Sequence, residues 1–151
     1  MELKEALKKL NDGKEFKEWK QKNPDTFFSY ALKILEEGKE QPWSLGFYRK
    51  STGKVATFII DETIDMQEEE EIFKNPDTEV NPIETKKAEM PFADILKKVK
   101  DFTNKTYSTE LISKTIAILQ NLEKYGTVWN ITHITPSFNT INMKVDAEDG
   151  K

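Results

Sequence analysis

At 151 residues the chain allows one ordinary domain or two very small ones, and 11% aromatic content beside 33% charged residues argues for thin packed cores under a charged surface. A net charge of −4 speaks against a nucleic-acid-binding surface, and the absence of cysteine excludes disulfides, thiolate metal sites and thiol nucleophiles. No apolar run nears the ~20 residues of a membrane-spanning helix, and Met1 to Glu5 reads as the start of an amphipathic helix and not as a signal peptide. As written the chain is expected in the cytoplasm, and outside it if the sequence is trimmed from a longer one.

Leu3, Ala6, Leu7 and Leu10 recur at helical spacing up to Asp12-Gly13, and Phe16 and Trp19 mark one face of a second short helix. Asn23-Pro24-Asp25-Thr26 combines a capping side chain, a first-turn proline and a carboxylate, and predicts a further helix. That helix carries Phe27, Phe28, Ala31, Leu32 and Leu35 and ends at Gly38 and Pro42. Trp43 to Tyr48 and Val55 to Ile60, around Ser51-Thr52-Gly53, predict a β-hairpin closing at Asp61-Glu62. Residues 64–90 read as an irregular surface connector, with Glu68 to Glu71 solvated, a second Asn75-Pro76-Asp77-Thr78 signal, and an edge strand at most over Glu79 to Thr85. Behind Pro91, Phe92, Ile95, Leu96, Val99 and Phe102 form a helical stripe. Ser108 or Thr109 caps a next helix bearing Leu111, Ile112, Thr115, Ile116, Leu119 and Leu122, ended by Gly126. Trp129 to His133 and Ile141 to Asp146 alternate as the strands of a second hairpin about Pro136-Ser137.

The order repeats. Phe16 and Trp19 match Val99 and Phe102, Ile34-Leu35 matches Ile118-Leu119, Trp43-Ser44-Leu45 matches Trp129-Asn130-Ile131, and Phe58 to Asp61 matches Met143 to Asp146. The predicted fold is therefore α+β: two helix-helix-β-hairpin repeats, residues 1–63 and 91–151, joined by 64–90 and packed around antiparallel sheet as one compact domain.

The ending Asn142-Met143-Lys144-Val145-Asp146-Ala147-Glu148-Asp149-Gly150-Lys151 resembles the PepSY family. That family's small domains run helix, strand, turn, strand, and often close on apolar-x-Val-Asp-Ala-x-x-Gly-Lys/Glu. The likeness is strongest over residues 109–151; in the first half Asp61 alone holds the closing position, followed by Glu62-Thr63. The resemblance implies a non-catalytic binding or inhibitory module, of the kind that accompanies secreted peptidases or occurs in cell-envelope proteins.

The chemical inventory is sparse. His133 is the single histidine, and no Gly-x-Ser-x-Gly elbow accompanies it, so a hydrolase would need a one-histidine arrangement. Asp146, Glu148 and Asp149 before Gly150 do not fit a calcium loop, and no phosphate-binding glycine motif occurs. No metal or cofactor is expected. Trp43, Phe47 and Tyr48 on one hairpin, and Trp129 and His133 on the other, are the candidate binding residues, as aromatic anchors for a protein or peptide. The matched tryptophans equally suit a core beneath the helices, while Tyr48, on the opposite strand face, is expected to be exposed. The expected function is non-enzymatic protein or peptide binding, including protease inhibition; an apolar small-ligand carrier is the alternative, and hairpin edges offer a route to homo-oligomers.

Overall fold

The computed structural model describes residues 2–37, 39–71, 80–106, 112–122, 125–137 and 139–148, with the backbone alone at 68–71 and 104–106. Helices α1 (Leu3–Asp12), α2 (Lys14–Lys22) and α3 (Phe92–Thr106) pack on an antiparallel sheet of eight strands. These are β1 (Thr26–Glu36), β2 (Lys39–Glu40), β3 (Trp43–Arg49), β4 (Lys54–Ile60), β5 (Ile64–Glu71), β6 (Lys114–Leu122), β7 (Gly126–Ile134) and β8 (Thr140–Asp146). The sheet order is β5-β4-β3-β1-β6-β7-β8, with β2 on the end of β1. The α+β class is as the sequence predicts, and no described helix is long and apolar enough to cross a membrane.

Two predicted helices are strands instead. The stretch from Phe27 to Leu35 is β1, the stretch over Thr115 to Leu122 is β6, and these two pair with each other at the centre of the sheet. Neither half is helix-helix-hairpin: the first runs α1, α2 and then β1 to β4, and the second runs α3 and then β6 to β8. Central strands are apolar on both faces, which erases the period of two that identifies a half-buried strand. In β1 a register shift between Phe28 and Tyr30 adds an extra residue, so the helix-facing positions become Phe28, Ala31, Lys33 and Leu35. The mixed spacing of three and two imitates a helical stripe. The Asn23-Pro24-Asp25-Thr26 signal ends α2 rather than starting a helix. Asn23 donates its side-chain amide to the Trp19 carbonyl at 2.7 Å, and Arg49 holds Asp25 at 2.5 Å.

The connector also departs from expectation. Ile64–Glu71 forms the edge strand β5, turning back from β4 through the Ile60–Ile64 pair, while residues 80–84 form no strand and Thr85–Lys87 is a single 3-10 turn. The first hairpin's outer edge is thus covered, and β5 and β8 are the sheet's edges. The expected signals at Asn75-Pro76-Asp77-Thr78, the caps at Ser108 and Thr109, the Gly38 helix end and the closing Asp149-Gly150-Lys151 lie outside the described residues.

All three helices bury against one face. Leu3, Ala6 and Leu10 of α1, Phe16 of α2, and Phe92, Ile95 and Val99 of α3 join a core with Ala31, Trp43, Leu45, Phe47, Ala117, Leu119, Trp129 and Ile131. Under α2, Phe16, Trp19, Phe47 and Phe58 form one aromatic cluster, with Phe16 and Phe47 centroids 5.0 Å apart. Under α3, the Trp43 and Trp129 rings meet at 5.9 Å and Phe92 closes on them at 5.1 and 4.9 Å. Ala31 and Ala117, both fully buried on the two central strands, leave room for the large rings to lean inward from β3 and β7. Glu2 fixes α3 from the other end of the chain: its carboxylate accepts the Phe92 and Ala93 N–H groups at 2.5 and 3.2 Å, satisfying first-turn donors that have no partner within a helix.

On the face away from the helices the Tyr30 ring lies across Gly46, and its hydroxyl meets Thr57 Oγ1 at 2.7 Å. A β-carbon at position 46 would sit 1.9 Å from Tyr30 Cε1. Gly46→Ala is expected to cost about 1–3 kcal/mol through displacement of the ring. In a Tyr30→Ser background the same change should cost far less, because the obstructing ring is gone; the double-mutant cycle from urea melts measures the coupling. Equal costs in both backgrounds would contradict the close approach.

Candidate functional site

The five candidate binding residues do not form an exposed anchor. Trp43 and Trp129 are 0% and 1% exposed and belong to the core beneath α3. Phe47 is buried in the cluster beneath α2. Tyr48 does lie on the opposite strand face, but it too is buried, its ring edge-on to Phe27 at 5.6 Å. The expected exposure fails because Phe27 stands directly opposite Tyr48 in the β1–β3 ladder, and two large rings in a paired position cover each other.

His133 is buried on the helix face of β7. Its Nδ1 lies 2.8 Å from Thr115 Oγ1, while Nε2 has no partner among the described residues; the same holds for Trp129 Nε1 and Thr103 Oγ1. A hydroxyl next to an imidazole is two thirds of a nucleophile–base–orienter arrangement. Nothing among the described residues supplies the third group, and His133 lines none of the cavities described below. Burial pushes its pKa below the ordinary histidine value. The folded protein therefore holds His133 neutral at a pH where the unfolded chain already protonates it. Stability should be level above about pH 7 and fall as pH drops through about 6.5. His133→Gln should flatten that slope in urea melts taken between about pH 7 and 5; an unchanged slope would assign it to other groups.

The face turned away from the helices is of a different kind. Leu32 pairs with Ile118 and Ile34 with Ile116 across the two central strands, and Ile59, Ile134, Phe27 and Tyr30 extend this apolar area; each is only partly buried. On its β7 and β8 side run polar side chains. Asn142 donates to Asn130 Oδ1 at 2.8 Å and to Thr132 Oγ1 at 2.9 Å, Asn130 reaches Gln120 at 3.3 Å, and Lys144 reaches Asn142 at 3.3 Å. A central apolar patch with polar side chains beside it has the composition of a protein-docking surface. Sequence reasoning misses it because Leu32, Ile34, Ile116 and Ile118 fall within two stretches that read as helices.

Two cavities lie on the helix side. One, of about 380 Å³, runs between α1 and the 80–90 segment over Leu119, with Leu3, Leu7 and Ala88 on its walls and Lys4 and Lys86 among its polar lining. The other, of about 240 Å³, is lined by Lys33, Glu40, Gln41, Pro42, Trp43, Ile60 and Asp61. Among the described residues no group of three or more His, Asp or Glu side chains is placed to hold a metal ion. Comparison with protein-family models, with curated proteins and with solved structures finds no match to this chain.

Proposed function

We propose that this protein is a non-enzymatic protein-binding module, built from two copies of a helix-and-three-strand unit, and that it docks its partner on the bare face of the sheet. The observation that carries this reading is the paired Leu32–Ile118 and Ile34–Ile116 patch at the centre of a face that no described helix covers. A flat sheet surface offers no concavity to surround a small molecule, which favours a partner with a broad apolar surface of its own. The PepSY-like ending points toward the same class of function, although residues 112–148 hold three strands where that family's pattern has a helix before its strands.

A photo-crosslinking side chain placed at position 118, in cells of the native source, tests the reading. A discrete protein adduct is expected from position 118 and none from position 97 on the exposed face of α3. The Ile116→Lys change, made in the same chain, should remove the adduct. Absence of any adduct from position 118, or the same adduct from both positions, would count against the docking face.

The cavity over Leu119 supports a second reading, a carrier for an amphipathic anion. Its leucine walls suit an apolar tail, and Lys4 and Lys86 suit an acidic head. Native mass spectrometry of the purified protein with a medium-chain fatty acid should then show a one-to-one complex that Leu7→Asp abolishes; no complex would remove the carrier.

A further inference from the structure

Two adjacent rows of side chains face the helices across the sheet. One runs Phe58, Leu45, Ala31, Leu119, Trp129, Val145; the other, taken in the opposite direction, runs Met143, Ile131, Ala117, Lys33, Trp43, Ile60. The rows agree in size and polarity at each position but one: Lys33 stands where the first row has Leu119. The earlier matching of Ile34-Leu35 to Ile118-Leu119 concealed this: the pairs Ala31–Leu119 and Lys33–Ala117 flank Leu32–Ile118, so matching Ala31 to Ala117 sets Lys33, not Leu35, in the place of Leu119. Leucine at the matching place shows that packing does not require an amine there, and burying an ammonium group is costly.

The surroundings suit a reactive amine. Lys33 is 4% exposed, its Nζ stands 5.0 Å from the Trp43 ring centroid, and Glu40 Oε2 lies 4.0 Å away. The 240 Å³ cavity opens beside it, with Pro42, Trp43 and Ile60 as apolar wall and Glu40, Gln41 and Asp61 as polar wall. Burial lowers the lysine pKa from its ordinary value, against the opposing pull of Glu40, Asp61 and Glu2. A lysine desolvated in an apolar setting keeps more of its amine uncharged, which is what a Schiff-base lysine requires.

We propose that Lys33 is an amine nucleophile that condenses reversibly with a small uncharged aldehyde or ketone held in this cavity. The Lys33 ammonium first passes one proton to the Glu40 carboxylate, and the freed nitrogen lone pair then bonds to the carbonyl carbon as the C=O π pair moves to oxygen. One amine proton is transferred to that oxygen, giving a carbinolamine. The hydroxyl then takes a proton delivered by Glu40 and leaves as water; the C=N bond forms, and the second amine proton returns to the Glu40 carboxylate. Amine and carbonyl become imine and water with no oxidant or reductant. The carboxylates in the wall disfavour an anionic ligand, and the short apolar wall favours a small alkyl chain. This site is independent of the bare sheet face.

Propanal with cyanoborohydride, applied to the intact wild-type protein at about neutral pH, converts each imine to a stable propyl-lysine that peptide mass mapping locates. Lys33 should be alkylated several-fold faster than exposed Lys97 and Lys100, because burial that lowers its pKa leaves more of it as free amine at neutral pH. In urea the preference should vanish. A rate at Lys33 no higher than at Lys97 and Lys100 would overturn the proposal, and a preference that survives in urea would overturn its assignment to the folded cavity.

Discussion

Trp129→Ala is expected to lower the unfolding free energy by about 3–5 kcal/mol. The ring is 1% exposed and sits between Trp43 and Phe92, so its removal leaves a void where three large rings meet over Ala31 and Ala117. Those alanines cannot grow to fill the space, and the neighbouring rings, Trp43 on β3 and Phe92 on α3, relax only in part. Trp129→Phe should cost much less, because its indole N–H has no partner among the described residues and its loss breaks no hydrogen bond. Urea unfolding followed by far-ultraviolet circular dichroism measures both. A loss under about 1 kcal/mol for the alanine variant would show that the ring is not a core element.

Ile131→Thr and Ile118→Thr make the second large contrast. Both residues lie on neighbouring strands near the sheet centre and pair with neighbours in the same ladder pattern. Ile131 is fully buried beneath the helices, so threonine removes a methylene and buries a hydroxyl, at an expected cost of about 3 kcal/mol or more. Ile118 is only partly buried, and threonine keeps the β-branched shape that strands favour while its hydroxyl reaches water; about 1 kcal/mol or less is expected. Equal losses would mean that the second face is itself a covered core. If the face docks a partner as proposed, the Ile118 change removes one central apolar contact and is expected to weaken association about tenfold.

The features that read correctly from sequence are those with one wet side. The stripes Leu3-Ala6-Leu10 and Phe92-Ile95-Val99 identify α1 and α3, and the Trp43 and Trp129 strands alternate cleanly enough to be recognised with their partners Val55–Ile60 and Ile141–Asp146. What misled were β1 and β6, whose apolar residues serve both faces. Ala31, Lys33 and Leu35 point toward the helices while Leu32 and Ile34 point away, and a helical wheel gathers Phe27, Phe28, Ala31, Leu32 and Leu35 from both faces into one stripe. The error bears on the proposed docking reading, since it hid the face that no described helix covers. One signal was available: a lysine inside the run Ala31-Leu32-Lys33-Ile34-Leu35 is out of place in a buried stripe, and its correspondence with Leu119 emerges once the register of the two central strands is known. Tyr48 illustrates the opposite limit. Alternation assigns its face correctly, yet its burial depends on Phe27, a neighbour that only the sheet pairing supplies.

Carbene footprinting of the intact protein in solution tests most directly whether the central strands carry a core on one side and a free surface on the other. Strong labelling is expected on Leu32, Ile34, Ile116 and Ile118, with little on Leu45, Leu119 and Ile131. Comparable protection of both sets would contradict the account, because the face assigned to a partner would already be occupied.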